Sequence, residues 1–219
     1  MKNWDEMRYW DTGEWQVVQE RLKDLNKAHK KYCPKQEDLF AALDATPYEK
    51  VRVAIVGQDP YPNALLATGI AFDIGYTSIP FPPTLVTLYK EYERDLHLPT
   101  PTTGSLHKWC DQGVLLWNAI PSCEAGKSLS HDWPEWKLLT QEIVEALSEA
   151  SVLMVFLGGK ARDFLQYVDL LNSDVLVYSH PSPRGSMRSK TPFLGSHMFS
   201  TINDKLQAEG QTPIDWRLP

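Results

Sequence analysis

The chain has 219 residues, 42% hydrophobic and 23% charged, with a formal net charge of -6. That length supports one sizeable core, and the composition is that of an ordinary soluble globular protein, not a disordered or collagenous chain. No apolar run approaches the roughly 20 residues of a membrane span, MKNWDEMRYW has no secretory h-region, and three cysteines complete neither a paired disulfide framework nor a four-cysteine cluster.

In chain order, the first dozen residues carry Trp4 and Trp10. An amphipathic helix is expected from about Glu14 to Lys31, with Trp15, Val18, Leu22 and Leu25 on one stripe. These rings are expected to pack residues 1–32 as an arm onto the body, with docking of a partner as the sharper reading. A short helix is expected over Glu37–Ala45. Val51–Val56 reads as a buried strand ended by Gly57. Its continuation, Gln58-Asp59-Pro60-Tyr61-Pro62, holds one acid and one ring in a loop stiffened by two prolines. Ile79–Thr84 is a Pro-rich turn opening a helix from about Leu85 to Leu96, and another helix is expected near Leu106–Gln112. The second strand is Val114–Trp117, ending in Asn118. A polar loop, Ser122–Asp132, leads to a helix over about Pro134–Glu149. The third strand is Val152–Leu157, followed by Gly158-Gly159-Lys160 and a helix to about Val168. The fourth is Val175–Tyr178, ending in Ser179-His180-Pro181-Ser182-Pro183-Arg184. A last helix is expected over about His197–Ala208.

Strands alternating with helices predict an α/β fold with a parallel sheet. Ligands in such sheets bind outside the strand carboxyl ends, which all lie on one edge. Asp59, Asn118 and His180 each stand at or just past such an end. An acid, an amide and an imidazole are therefore expected to meet there. Gly158-Gly159-Lys160 lacks the GxxxxGK[ST] of a phosphate loop and reads as a tight turn. No GxSxG elbow or zinc-ligand spacing is present, and His131-Asp132 reads as a loop feature. Although the chain is acidic, Ser179–Ser200 holds Arg184, Arg188 and Lys190 with no Asp or Glu. A basic stretch with serines is suited to gripping phosphates.

GQDPYP after a strand, GIAFDI, PPTL entering a helix, GVLLWN, HPSP, FLGSHMFSTIN and the terminal PIDWRLP follow one another in this chain. In that order they resemble the family-1 uracil-DNA glycosylases, over nearly the whole chain from about residue 33. The resemblance implies a single three-layer α/β/α domain over residues 1–219, with a central four-stranded parallel sheet. It implies a monofunctional glycosylase that flips uracil out of single- or double-stranded DNA and hydrolyses its N-glycosidic bond, leaving an abasic site, with no metal or cofactor. Carried over by position, Asp59 activates water and stabilises the sugar cation, and His180 hydrogen-bonds the uracil oxygen. Gln58 contacts the base, Tyr61 excludes the thymine methyl, Phe72 stacks on uracil and Asn118 reads the base edge. Pro82, Pro83, Thr84 and Ser182 touch the DNA backbone, with Arg184 and Arg188 as further DNA contacts. Pro62 stands where the family usually has His, and Arg184 where it usually has a Leu wedge. Implied partners are uracil-containing DNA and, beside it, DNA-mimic inhibitor proteins or replication proteins; a monomer of intracellular, cytoplasmic or nuclear, location is expected. The alternative from another class is a DNA-binding replication-accessory subunit with a glycosylase fold.

Overall fold

The structure, a computed structural model, describes residues 3–75, 80–183 and 189–219. Its strands are β1 (Tyr32–Cys33), β2 (Val53–Gly57), β3 (Val114–Asn118), β4 (Cys123–Glu124), β5 (Leu153–Leu157) and β6 (Val175–Tyr178). Its α-helices are α1 (Glu14–Lys27), α2 (Ala41–Ala45), α3 (Pro83–Leu96), α4 (His107–Cys110), α5 (Pro134–Glu149), α6 (Gly159–Arg162) and α7 (Met198–Ala208). Four strands form one parallel sheet in the order β3-β2-β5-β6, with the helices around it. This is the α/β fold expected from the alternation of elements.

Every residue of β2, β3 and β5 is buried, as their unbroken apolar runs require when both faces are covered. The edge strand β6 is half-buried throughout. Register fixes the functional edge: Gly57 pairs with Asn118, Val56 with Phe156, and Leu157 with Tyr178. Residues just past positions 57, 118 and 178 therefore emerge side by side.

Several boundaries differ from the expected ones for identifiable reasons. The first helix stops at Lys27, not Lys31, because His29 turns left-handed (φ 55°) and Lys30 N–H closes onto Leu25 O at 2.9 Å. The Glu37–Ala45 helix is divided into a 3₁₀ turn at Gln36–Asp38 and α2, with Phe40 non-helical between them. After Arg162 the chain tightens from α6 into a 3₁₀ helix, Asp163–Tyr167. The ribbon of β1 against β4, two residues a side, is too short to leave any alternation in the sequence. It sets Cys33 opposite Cys123; these and Cys110 are free, buried thiols.

The tryptophan arm packs on the body. Trp4 is buried and donates Nε1–H to Thr46 O at 2.9 Å, while Trp10 donates to Trp4 O at 2.8 Å. The Phe40 ring meets both Trp10 and Trp15 edge-on at 5.1 Å. Among the described residues no helix is long and apolar enough to cross a membrane.

His131 locks the loop between β4 and α5. Its ring stacks on Trp133 at 4.0 Å, and its Nδ1 lies 2.8 Å from Ser122 Oγ, which also accepts from Trp136 Nε1 at 2.8 Å. The neighbouring Asp132 serves a different purpose, pairing with Lys137 at 2.8 Å and Lys160 at 2.6 Å. Burial pushes the His131 imidazole down to about 4, against a smaller opposing pull from Glu124. Once the chain unfolds, this ring takes a proton near pH 6.5. Below that pH the unfolded state binds more protons than the folded one, so stability falls as pH drops from about 6.5 towards 4. The contribution of this one ring to that loss should reach roughly 3 kcal/mol. Urea titrations of wild type and His131→Gln between pH 7.5 and 4 check it: the stability gap between the two proteins should narrow as pH falls, and a gap that stays constant would refute it.

Candidate active site

Asp59, Asn118 and His180 line one cavity of about 320 Å³ at the carboxyl edge of the sheet, together with Gln58, Tyr61 and Phe72. Its volume sits at the low end of the roughly 300–1,000 Å³ typical of small-ligand sites. Pro62, Thr84 and Ser182 complete part of the rim. Pro82 and Pro83 do not line it; they open α3 beside Thr84, Pro82 as the extended cap and Pro83 at the first helical turn. Arg184 and Arg188 lie outside the described residues.

Each wall has a local cause. Beyond β2 the backbone of Gly57 and Gln58 is clamped to the neighbouring strand end, with Ala119 N–H donating to Gly57 O at 3.1 Å and Ile120 N–H to Gln58 O at 2.9 Å. The Asp59 carboxylate is then held by three donors. Gln58 Nε2 donates to Oδ1 at 3.0 Å, while Ser128 Oγ and Leu129 N–H both donate to Oδ2 at 2.7 Å. Two of these three come from the Ser122–Asp132 loop, which sequence reading treats only as a polar connection.

Phe72 is placed by its neighbours. Ala71 N–H donates to Leu116 O at 3.0 Å, hanging the segment on the edge of β3. Phe72 itself is left-handed (φ 67°), a conformation that costs a non-glycine residue about 1–3 kcal/mol. The buried Asp73 secures the turn, accepting from Leu106 N–H at 2.6 Å and Gly75 N–H at 2.9 Å. Sequence reading assigns Asp73 no such part; an acid two residues before a glycine, after an apolar run, is the signal that marks it. The Tyr61 hydroxyl donates to the Phe72 backbone carbonyl at 3.3 Å, which ties the Tyr61 side chain to this turn.

A Cβ at position 57 would lie 2.9 Å from Phe72 Cζ and 3.0 Å from Asn118 Oδ1. Glycine there lets the phenyl ring and the amide approach the same strand end. On the far side Gly158, at φ 96°, gives the same clearance to His180, whose Cβ would be 2.9 Å from an added methyl. The His180 and Phe72 rings are 6.2 Å apart between centroids. Burial lowers the His180 imidazole below its usual range, outweighing the opposing pull of Asp59, so the ring is neutral at neutral pH. Lys160, two residues past Gly158, is engaged with Asp132, consistent with a tight turn at this point instead of a phosphate loop.

The segment after His180 is pinned at its described ends. Ser179 N–H donates to Thr191 O at 2.8 Å and Ser179 Oγ accepts from Phe193 N–H at 3.0 Å. The site thus combines a fixed carboxylate, a buried amide, a neutral imidazole and an aromatic face within one slot.

Comparison with known proteins places this arrangement. The family model described as the uracil DNA glycosylase superfamily matches residues 43–207. A uracil-DNA glycosylase of Pseudomonas fluorescens is 39% identical over 204 residues, covering 92% of this chain and 87% of the relative. One from Limosilactobacillus reuteri is 40% identical over 193 residues, covering 87% and 82%. In fold, the chain superposes on the crystal structure of mimivirus uracil-DNA glycosylase with a TM-score of 0.88, at 24% identity, over 95% of this chain and 83% of that one. A variant of that viral protein, similar in fold to the same degree, was crystallised in complex with UGI. On that breadth of match, this chain belongs to the uracil DNA glycosylase superfamily.

Proposed function

We propose that this protein is a DNA-repair hydrolase that excises uracil from single- and double-stranded DNA. The observation that carries the reading is the convergence of Asp59, Asn118 and His180, with Phe72 and Tyr61, on one cavity. Chemistry at a base needs that base out of the stack, and the slot accepts a flat ring against Phe72. The N1–C1′ bond breaks with its electron pair leaving on uracil, which delocalises the charge onto its oxygens. A water oxygen then bonds to C1′ and gives up a proton, and the base anion takes one from solvent. The products are free uracil and an abasic site.

The cationic sugar and the anionic base need opposite partners. Asp59, fixed by its three donors, is the negative group beneath the sugar. His180, held neutral by burial, is a neutral N–H donor to the developing oxyanion. Asn118 accepts from uracil N3–H and donates to O4. Cytosine presents the reverse pattern, and mismatched buried polar groups reject by about 10⁴ or more. Thymine differs only by a methyl group, which no hydrogen bond rejects. The Tyr61 ring, fixed against the Phe72 carbonyl, is the steric barrier.

The two departures from the usual family pattern receive roles here. Pro62 acts through its backbone, where its carbonyl accepts from Gly126 N–H at 2.8 Å and so docks the Ser122–Asp132 loop. Arg184 and Arg188 are assigned to DNA phosphates and the minor groove, with Thr84 and Ser182 on the strand nearest the slot. A UGI-like inhibitor protein is a partner of the same face, by analogy with the viral neighbour.

The deciding experiment is alkali cleavage of a uracil-containing oligonucleotide after incubation with the protein, with chelator present throughout. Abasic product is expected in both single- and double-stranded substrate. Asp59→Asn and His180→Ala should each lower the rate about 10²-fold or more without unfolding the chain; no abasic product from the wild type would favour a binding subunit instead. Tyr61→Ala should leave uracil excision measurable and open excision of thymine, read with a thymine-only oligonucleotide. Arg184→Ala should weaken duplex binding and make the plot of log affinity against log salt shallower by about 0.9; an unchanged slope removes Arg184 from the DNA contacts.

A further inference from the structure

Ser128 is the one side-chain hydroxyl among the three donors to Asp59, reaching Oδ2 at 2.7 Å from 69 residues away in sequence, and no role of its own is assigned to it above. The loop that carries it is built to deliver it there. Gly126 N–H is tied to Pro62 O and Ala125 N–H to Lys31 O, each at 2.8 Å. Ser130 Oγ donates to Lys127 O at 2.7 Å and accepts from Glu124 N–H at 2.6 Å, closing the loop on itself. Leu129 takes a left-handed conformation (φ 62°), which turns its N–H onto the same Asp59 oxygen. Backbone strain in a non-glycine residue persists where surrounding contacts over-determine it.

The geometry points to Ser128 as a positioning residue for hydrolysis, acting through Asp59. A carboxylate on a single Cβ–Cγ bond turns easily, and a single donor leaves it free to rotate about that contact. Two donors on Oδ2 and one on Oδ1 fix the plane of the group and fill Oδ2, so that of the roughly four lone-pair sites of the carboxylate one, on Oδ1, stays open. Ser128 is itself exposed and lines the cavity, so it stabilises the fold little. Hydrogen bonds to an ionised acceptor are about twice as strong as neutral ones. Pro62, on the same cavity wall, has no polar side-chain atom with which to share this task. Because Leu129 N–H and Gln58 Nε2 remain when the hydroxyl is removed, its loss should misalign the acid without freeing it.

This inference rests on the reading of Asp59 as the acid of a glycosylase. It is tested by single-turnover excision from a single-stranded uracil oligonucleotide, using wild type, Ser128→Ala, Ser128→Thr, Asp59→Asn and the Ser128→Ala/Asp59→Asn double variant. Ser128→Ala should lower the single-turnover rate constant about tenfold, with the half-saturating protein concentration within about twofold of wild type. Ser128→Thr, which keeps the hydroxyl, should stay within about threefold of wild type. In the Asp59→Asn background, Ser128→Ala should change the rate by less than about twofold, since residues acting as a unit are non-additive. A wild-type rate in Ser128→Ala, or the same tenfold loss in the Asp59→Asn background, overturns the role. Wild-type excision by Asp59→Asn alone overturns the reading of Asp59 and this role with it.

Discussion

The slot exists because position 57 has no side chain. Where β2 ends, a phenyl ring and an amide both come within about 3 Å of the place a Cβ would occupy. Any other residue there must push Phe72 or Asn118 outward, and both are buried against a sheet that does not yield. Gly158 gives His180 the same clearance one strand further along, and its positive φ adds a conformational reason for glycine. Two strand ends stripped of side chains are thus flanked by the groups that fill the space. Sequence pattern marks both glycines as strand terminators; their further role as clearance appears only when distant segments are superimposed on them.

Around these fixed points the site is arranged with left-handed residues at chosen places. Phe72 and Leu129 both adopt positive φ without being glycine. One turns a ring to face the slot and the other turns an N–H onto Asp59. Each is held by contacts outside itself: Phe72 by the Ala71–Leu116 bond and the Asp73 clamp, Leu129 by the docked loop between β4 and α5. Strain of about 1–3 kcal/mol per residue is small beside the burial that surrounds it, and it is concentrated where orientation matters.

What could be read from sequence follows from periodicity. The buried strands announce themselves as apolar runs, and parallel strands share a carboxyl edge. That was enough to bring Asp59, Asn118 and His180 together in expectation although 59 and 180 are far apart in the chain. The fold class was legible for the same reason. The Ser122–Asp132 loop has no period, and its contribution lies in hydrogen bonds to Asp59, Pro62 and Lys31, which no local pattern encodes. Asp73 was hidden similarly: its partner Leu106 is 33 positions away. The β1–β4 ribbon was too short to register, and α1 ended early at a left-handed histidine that nothing in its apolar stripe foretells.

The remaining question is how an acidic chain meets a polyanion. Its answer lies in where charge is consumed. Ser179–Ser200 has no carboxylate of its own, and two carboxylates of α3 lie against its end: Glu91 and Asp95. Both are occupied with that segment's backbone. Glu91, fully buried, accepts from Gly195 N–H at 2.6 Å and His197 N–H at 2.8 Å. Asp95 accepts from Ser200 N–H at 2.9 Å and Ser200 Oγ at 2.5 Å. Charge-assisted bonds of this kind are about twice as strong as neutral ones, and each fixes a carboxylate against the chain it anchors. These acids therefore hold Gly195, His197 and Ser200, at the end of that segment, against α3. Net charge describes the whole surface, whereas DNA meets a local field that decays over about 8 Å at physiological salt.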